Sequence, residues 1–199
     1  LLAKGVDINW KNKDGNTALI LATEEGHAET VKALLERGAD VNAEGNRGWT
    51  ALEIASEKGH TAIVGDLLNK GVNIERYGGD ALIAATSNGH FTIMQALLAK
   101  GVNVNYKNKY GSTALIIASQ KAYEDILQIL LKNGADVRVE DNEGQTALVY
   151  ADVAGHKNIV KILLERQTPP AKAVSLFYLQ QGKTGCDIKM WYPSTQLTR

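Results

Sequence analysis

Cysteine is almost missing from this chain: Cys186 stands alone among 199 residues. One thiol excludes an internal disulfide and any zinc site built on cysteines. It also suits a reducing, intracellular setting, and a cytoplasmic location is the expectation. An excess of either charge is missing too, with 22 basic against 22 acidic residues. No net field therefore draws the chain to DNA, RNA or an anionic membrane. No apolar run approaches the ~20 residues of a membrane span, and the opening residues lack the pattern of a secretory leader. Proline is down to three residues and aromatics to 6%. The few aromatics that exist prove to be unevenly placed.

What is present in quantity is one segment, repeated. A Thr-Ala-Leu element occurs at Thr17, Thr50, Thr113 and Thr146, with Asp80-Ala81-Leu82 filling the gap. The steps between them are 33, 30, 33 and 33 residues. Double leucines keep the same step, from Leu34-Leu35 through Leu67-Leu68, Leu97-Leu98 and Leu130-Leu131 to Leu163-Leu164. So do Gly26-His27, Gly59-His60, Gly89-His90 and Gly155-His156, with Ala122-Tyr123 in the fourth copy.

Each copy reads as a helical hairpin. Thr17 offers a side-chain oxygen to the first amides of a helix, and Asp80 is expected to do the same in copy three. Leu19 and Ala22 fall on one helical face, and Gly26 breaks the helix. A second helix follows with Val31, Leu34 and Leu35 at i, i+3 and i+4. Gly38, Gly71, Gly101 and Gly134 stand just past the second helices, where a left-handed residue closes the end. A hairpin this small cannot bury its own apolar stripe, so neighbouring copies must supply the core.

The period and the Thr-Ala-Leu element resemble the ankyrin repeat, whose signature is Thr-Pro-Leu-His-x-Ala at about 33 residues. Alanine replaces the usual proline at Ala18, Ala51, Ala81, Ala114 and Ala147, and Ile20, Glu53, Ile83, Ile116 and Val149 replace the signature histidine. Those swaps should cost stability and leave the fold intact. The resemblance implies an all-α solenoid of stacked helix-turn-helix units with projecting β-hairpin or loop fingers. The array is expected over residues 1–167, as a partial repeat 1–14 and repeats near 15–47, 48–77, 78–110, 111–143 and 144–167. Residues 168–199 are expected to hold a capping helix over 171–181 and a tail, with Thr168-Pro169-Pro170 stopping the fifth copy. Leu1-Leu2 align with Leu34-Leu35, so the sequence is expected to open inside a second helix, as a fragment would.

Three local departures carry expectations of their own. The short step between copies two and three should retract a finger and leave a notch floored by Arg76, Tyr77, Gly78 and Gly79. Ala122-Tyr123 should give copy four a different inter-helix turn. Gly65, inside a second helix, should cost about 1 kcal/mol against alanine.

Nothing in the sequence assembles into a catalytic or metal site. His27, His60, His90 and His156 occupy one position in separate copies and cannot converge on an ion; bonding to backbone at the turns accounts for them. Gly182-Lys183-Thr184 lacks the upstream glycine of a phosphate loop. Glu24, Glu25 and Glu29 read as a solvated face. Asn9, Asn42 and Asn105 resemble asparagines that some ankyrin proteins have hydroxylated, and finger-turn hydrogen bonding is the preferred role. No cofactor and no enzyme activity are expected.

The resemblance implies instead a scaffold that binds another protein on the concave surface of finger tips and first helices. The variable residues there are Trp10, Lys13, Arg47, Trp49, Arg76, Tyr77, Tyr106, Lys109 and Tyr110, our candidate partner-binding set. Trp, Tyr and Arg dominate interface hot spots, and two of three tryptophans and three of seven tyrosines fall in this set or beside it. Basic residues outnumber acidic ones in the first four fingers, so the partner is expected to present acidic groups towards the N-terminal part of the groove. A monomer is expected, with no nucleic-acid or membrane partner. Two alternatives share these residues: a tail with Phe177, Trp191 and Tyr192 that docks over its own groove, or an array serving as targeting arm of a larger enzyme.

Overall fold

The computed structural model describes residues 7–167. Among them are ten α-helices: α1 (Ala18–Glu24), α2 (Ala28–Glu36), α3 (Ala51–Lys58), α4 (Thr61–Asn69), α5 (Ile74–Ser87), α6 (Phe91–Ala99), α7 (Ala114–Gln120), α8 (Glu124–Lys132), α9 (Ala147–Val153) and α10 (Lys157–Gln167). They pair in chain order as five hairpins. The first helices pack in file, α1 on α3, α3 on α5, α5 on α7 and α7 on α9. The second helices form another layer, α2 on α4, α4 on α6 and α8 on α10. This is the expected all-α solenoid. The expected capping helix and tail lie outside the described residues.

Local chemistry explains the element ends. Thr17 and Thr113 each accept at Oγ1 from the amide three residues on, Ile20 and Ile116, at 3.3 Å. Thr50 completes a reciprocal pair: Glu53 N–H donates to its Oγ1, and its own N–H donates back to Glu53 Oε2 at 2.7 Å. At the other end of the hairpin, Gly38 takes φ +87° after α2. Its N–H donates to Leu35 O and the Ala39 N–H to Leu34 O, the two-bond closure that a left-handed residue permits. Gly71, Gly101 and Gly134 repeat that geometry.

The core runs the length of the array from Leu19 to Leu163. Leu67, Leu97, Leu130 and Leu163 retain 0% of their surface, and each such burial is worth about 1.5–3 kcal/mol. Neighbours do the covering. Ile116 is 2% exposed under copy five, whereas Val149 at the same place in copy five is 40% exposed.

Three expectations need correcting. Fingers are not hairpin strands: the described residues hold only two isolated antiparallel bridges, Glu44 to Thr50 and Glu140 to Thr146. Asp80 is not a helix cap. The shortened connection winds into helix instead, so α5 runs 14 residues against seven for α1, about two turns longer. Its cap is Asn73, whose Oδ1 accepts from Arg76 N–H at 3.0 Å. Arg76, Tyr77, Gly78 and Gly79 therefore form the first turns of a helix, not the floor of a loop. The copy-four turn is also the same as the others. Ala122 adopts φ +59°, and Tyr123 N–H donates to Ala118 O as His27 N–H does to Ala22 O. The turn's hydrogen bonds impose the conformation on a residue that dislikes it.

Glycine in α5 has a steric reason. A Cβ on Gly79 would lie 2.2 Å from Tyr106 Cγ, and one on Gly78 would lie 2.7 Å from Val102 Cγ2. Gly65 in α4 has nothing within 4 Å of such an atom. Alanine should therefore act oppositely at the two sites. In urea titrations, Gly65→Ala should gain about 1 kcal/mol, and Gly79→Ala should lose about 2–3 kcal/mol by overpacking. Ala122→Gly should gain about 1 kcal/mol by relieving the left-handed alanine. Equal effects of alanine at positions 65 and 79 would contradict the contact with Tyr106.

Candidate functional site

The finger loops combine backbone bonds across each tip, such as Asn12 N–H to Asn16 O, with side chains that add to them. Asn12 Oδ1 accepts the N–H groups of Asp14 and Asn16, Asn108 Oδ1 those of Tyr110 and Ser112, and Asp141 Oδ1 those of Glu143 and Gln145. One short polar side chain thus holds each tip, as Asn and Asp do in turns. In finger two Gly45 stands at that place, and the tip is a single 3-10 turn, Asn46–Gly48.

Further bonds tie each finger to the next. Asn9, Asn42 and Asn105 each accept at Oδ1, at 2.8 Å, from the backbone N–H of Asp40, Asn73 and Asp136 in the following copy. These three asparagines staple copies together, a longer reach than the turn bonding expected of them. Lys11 Nζ donates to Glu44 O at 2.9 Å, and Lys107 Nζ to Glu140 O at 2.7 Å. Asn46 N–H donates to Asn16 Oδ1, and Asn142 Nδ2 to Lys109 O. Fingers one and two are joined in this way, as are fingers four and five.

Between the two pairs stands the N-terminal part of α5. Arg76 Nη2 meets Glu44 Oε1 at 2.7 Å, and Tyr77 Oη donates to the same oxygen at 2.9 Å. On its other side Tyr106 lies over Gly79 and donates its hydroxyl to Asp80 at 2.8 Å. The missing finger is thus replaced by a helical segment bonded to both neighbours. Glu44 recurs as Glu140 in copy five, and Asp80 stands where the other copies carry threonine, so neither residue's bond to a tyrosine shows as a pattern in the sequence.

This geometry divides the nine candidate residues. Trp10 and Tyr110 are each 64% exposed and Trp49 38%. Lys13 and Lys109 are exposed, and the Lys109 ammonium sits 5.0 Å above the Tyr110 ring. Arg76 is exposed but committed to Glu44, with its guanidinium 5.2 Å from the Tyr77 ring. Tyr77 is buried and Tyr106 half-buried, so both rings are spent on packing inside the array. Arg47 belongs to the 3-10 turn of finger two.

The ionisable groups behave accordingly. Burial, then the bond to Asp80, pushes the Tyr106 phenol up to about 12. The bond to Asp141, at 2.7 Å, and then burial push Tyr150 up to about 12. The same bond holds the Asp141 carboxyl below the usual range, helped by the amides of Gln145 and Glu143. Burial raises Glu53, with Asp80 and Glu44 adding to the effect against the bonds from Thr50. His90 Nε2 and His156 Nε2 pair with the carbonyls of Glu57 and Gln120, which belong to the preceding copy. Among the described residues no group of His, Cys, Asp or Glu is arranged to hold a metal ion, and no helix is long and apolar enough to cross a membrane.

A family model for ankyrin repeats in three copies matches residues 1–78 and 82–174. The chain belongs to the ankyrin-repeat family. The seam between the two matched stretches falls within α5, where this ankyrin array departs from the regular step. No curated protein matches the chain. Ankyrin repeats generally serve as protein–protein interaction modules and are typically non-catalytic.

Tyr106 and Tyr150 bind their protons more tightly folded than unfolded. Their contribution is complete below the ordinary phenol value of 10.0 and is lost as pH rises towards 12. Ultraviolet titration should find these two phenols ionising late and stability falling across that window. Tyr106→Phe should remove one late phenol, flatten the alkaline slope and cost about 1 kcal/mol at neutral pH as Asp80 loses its donor. Simultaneous ionisation of all tyrosines near the ordinary value would refute the assignment.

Proposed function

We propose that this ankyrin array is a non-catalytic scaffold that holds a protein partner across its finger tips and the adjoining first helices. The observation that carries this reading is the trio Trp10, Trp49 and Tyr110. Each is a large exposed ring on a finger whose backbone is held by side-chain hydrogen bonds. Rings presented on a pinned loop bind with little ordering cost, and Trp and Tyr are the residues that dominate interface energetics. Tyr77 and Tyr106 play no part in this reading, because their hydroxyls and faces are already used.

Charge supplies orientation. Three of the basic finger residues are engaged within the array: Lys11 and Lys107 on carbonyls, Arg76 on Glu44. Lys13 and Lys109 are the exposed cations that would meet acidic groups on the partner, with Arg47 kept in the proposed set from its place in finger two. Such rim charges act mostly on association rate.

Capture of a partner by the intact array, beside a Trp49→Ala, Tyr110→Ala variant, tests the surface. Hot-spot truncations cost about 2 kcal/mol or more, so affinity should fall at least ~30-fold with helix content unchanged. Neutralising Lys13 and Lys109 should slow association several-fold at low salt and leave dissociation nearly constant. Neutralising Lys11 and Lys107 should instead lower the unfolding midpoint. A partner that binds the aromatic variant as tightly as the intact array sinks the proposal.

A further inference from the structure

The five hairpin turns lie at the opposite ends of the helices from the fingers, and four of them are alike. Gly26, Gly59, Gly89 and Gly155 take φ between +71° and +79°, each followed by histidine. The turn from α7 to α8 keeps that backbone with Ala122 at φ +59°, the only non-glycine with positive φ among the described residues. Tyr123 takes the histidine's place. His90 and His156 use their rings to bond a carbonyl of the preceding copy. The Tyr123 ring lies against Gly89 as His60 does against Gly26 and His90 against Gly59, its Cζ 3.5 Å from where a glycine Cβ would stand.

A further departure adjoins these two. The first residue of each second helix is Ala28, Thr61, Phe91, Glu124 and Lys157. Phe91 is thus the one aromatic at that position, and it is 37% exposed. Phe91, Ala122 and Tyr123 line one open depression of about 500 Å³, together with Gly89, Glu124, Asp125 and Ile126. Its floor is apolar and aromatic, and its charged members are two carboxylates with no lysine or arginine. Lys121, next along the chain, is exposed and not part of the lining.

We infer that this depression is a second docking site, for a lysine or arginine side chain of a basic peptide segment on a protein partner. The charge decides between occupants. A bare helix N-terminus carries about +0.5 of an elementary charge and would suit an anion. Glu124 and Asp125 in the first turn of α8 more than cancel it. Phosphates and acidic peptides are therefore repelled. A cation gains both carboxylates and comes beside the Phe91 and Tyr123 rings that line the depression, where cation–π attraction adds to the charge. Its methylene stem covers Phe91 and Ile126, as long basic side chains do on apolar surface. Lysine and arginine thus satisfy the whole lining, whereas a purely apolar side chain leaves the carboxylates unanswered.

Heteronuclear NMR of the full chain tests this, with a capped hexa-arginine peptide as probe and its neutral hexa-citrulline isostere as control. Amide shifts should concentrate at residues 89–91 and 122–126, and the citrulline peptide should bind at least tenfold more weakly. E124T/D125A, which copies the residues of α4, should weaken arginine-peptide binding at least tenfold. F91T and the pair A122G/Y123H should weaken it about fivefold. All three variants install residues that other copies already carry, and circular dichroism verifies their folding. W49A/Y110A should bind the peptide normally, so failure here is distinguishable from failure of the finger surface. The inference is overturned by shifts scattered over all acidic surfaces, by equal binding of the citrulline peptide, by variants that bind unchanged, or by no shifts at millimolar peptide.

Discussion

No hairpin in this array can bury its own leucines. Leu34, Leu67, Leu97, Leu130 and Leu163 lie between a hairpin and its neighbours, and their burial is the one interaction on which every other feature rests. Helices of seven and nine residues are each shorter than an isolated helix needs to be stable in water, so packing must supply what propensity does not. Val149 is 40% exposed, although the same position is buried in copies one, three and four and holds the capping Glu53 in copy two. Stability in such an array is a sum of units and interfaces, so a defect at one interface is felt locally before it is felt globally.

The finger row obeys a second economy. Its loops have a backbone bond or two across each tip, and short polar side chains add the rest of the holding. Asn12, Asn108 and Asp141 close the tips, while Asn9, Asn42 and Asn105 reach the next copy. This arrangement leaves the tip side chains outside the bonding scheme. Trp10, Trp49 and Tyr110 stand exposed beside these bonds, the Tyr110 ring with the Lys109 ammonium above it.

How much of this was legible in the sequence follows from what repeats. The helices, their leucine files and the closing glycines recur at a fixed step, and each recurrence confirms the others; so they could be read directly. What does not recur could not. The three-residue deletion before Asp80 reads equally well as a shorter loop or as added helix, and the Asn73 cap with the contacts of Tyr106 with Gly79 and of Tyr77 with Glu44 favours the helix. For the same reason Tyr77 and Tyr106 resembled surface aromatics: residue type is visible in a sequence, but a cross-copy partner such as Glu44 is not. Ala122 misled in the other direction. An alanine in place of glycine suggests a new turn, yet the hydrogen bonds at either side hold the old one.

The α5 segment also settles something about the array as a series. Regular copies present interchangeable ends, so nothing in their leucines alone dictates which follows which. Copy three is keyed on both sides: Arg76 and Tyr77 bond Glu44 of the copy before, and Gly79 leaves the room that Tyr106 of the next finger fills. A single irregular member thereby writes a reading direction into an otherwise uniform string, and shuffling the copies around it would break the lock before it disturbed the core.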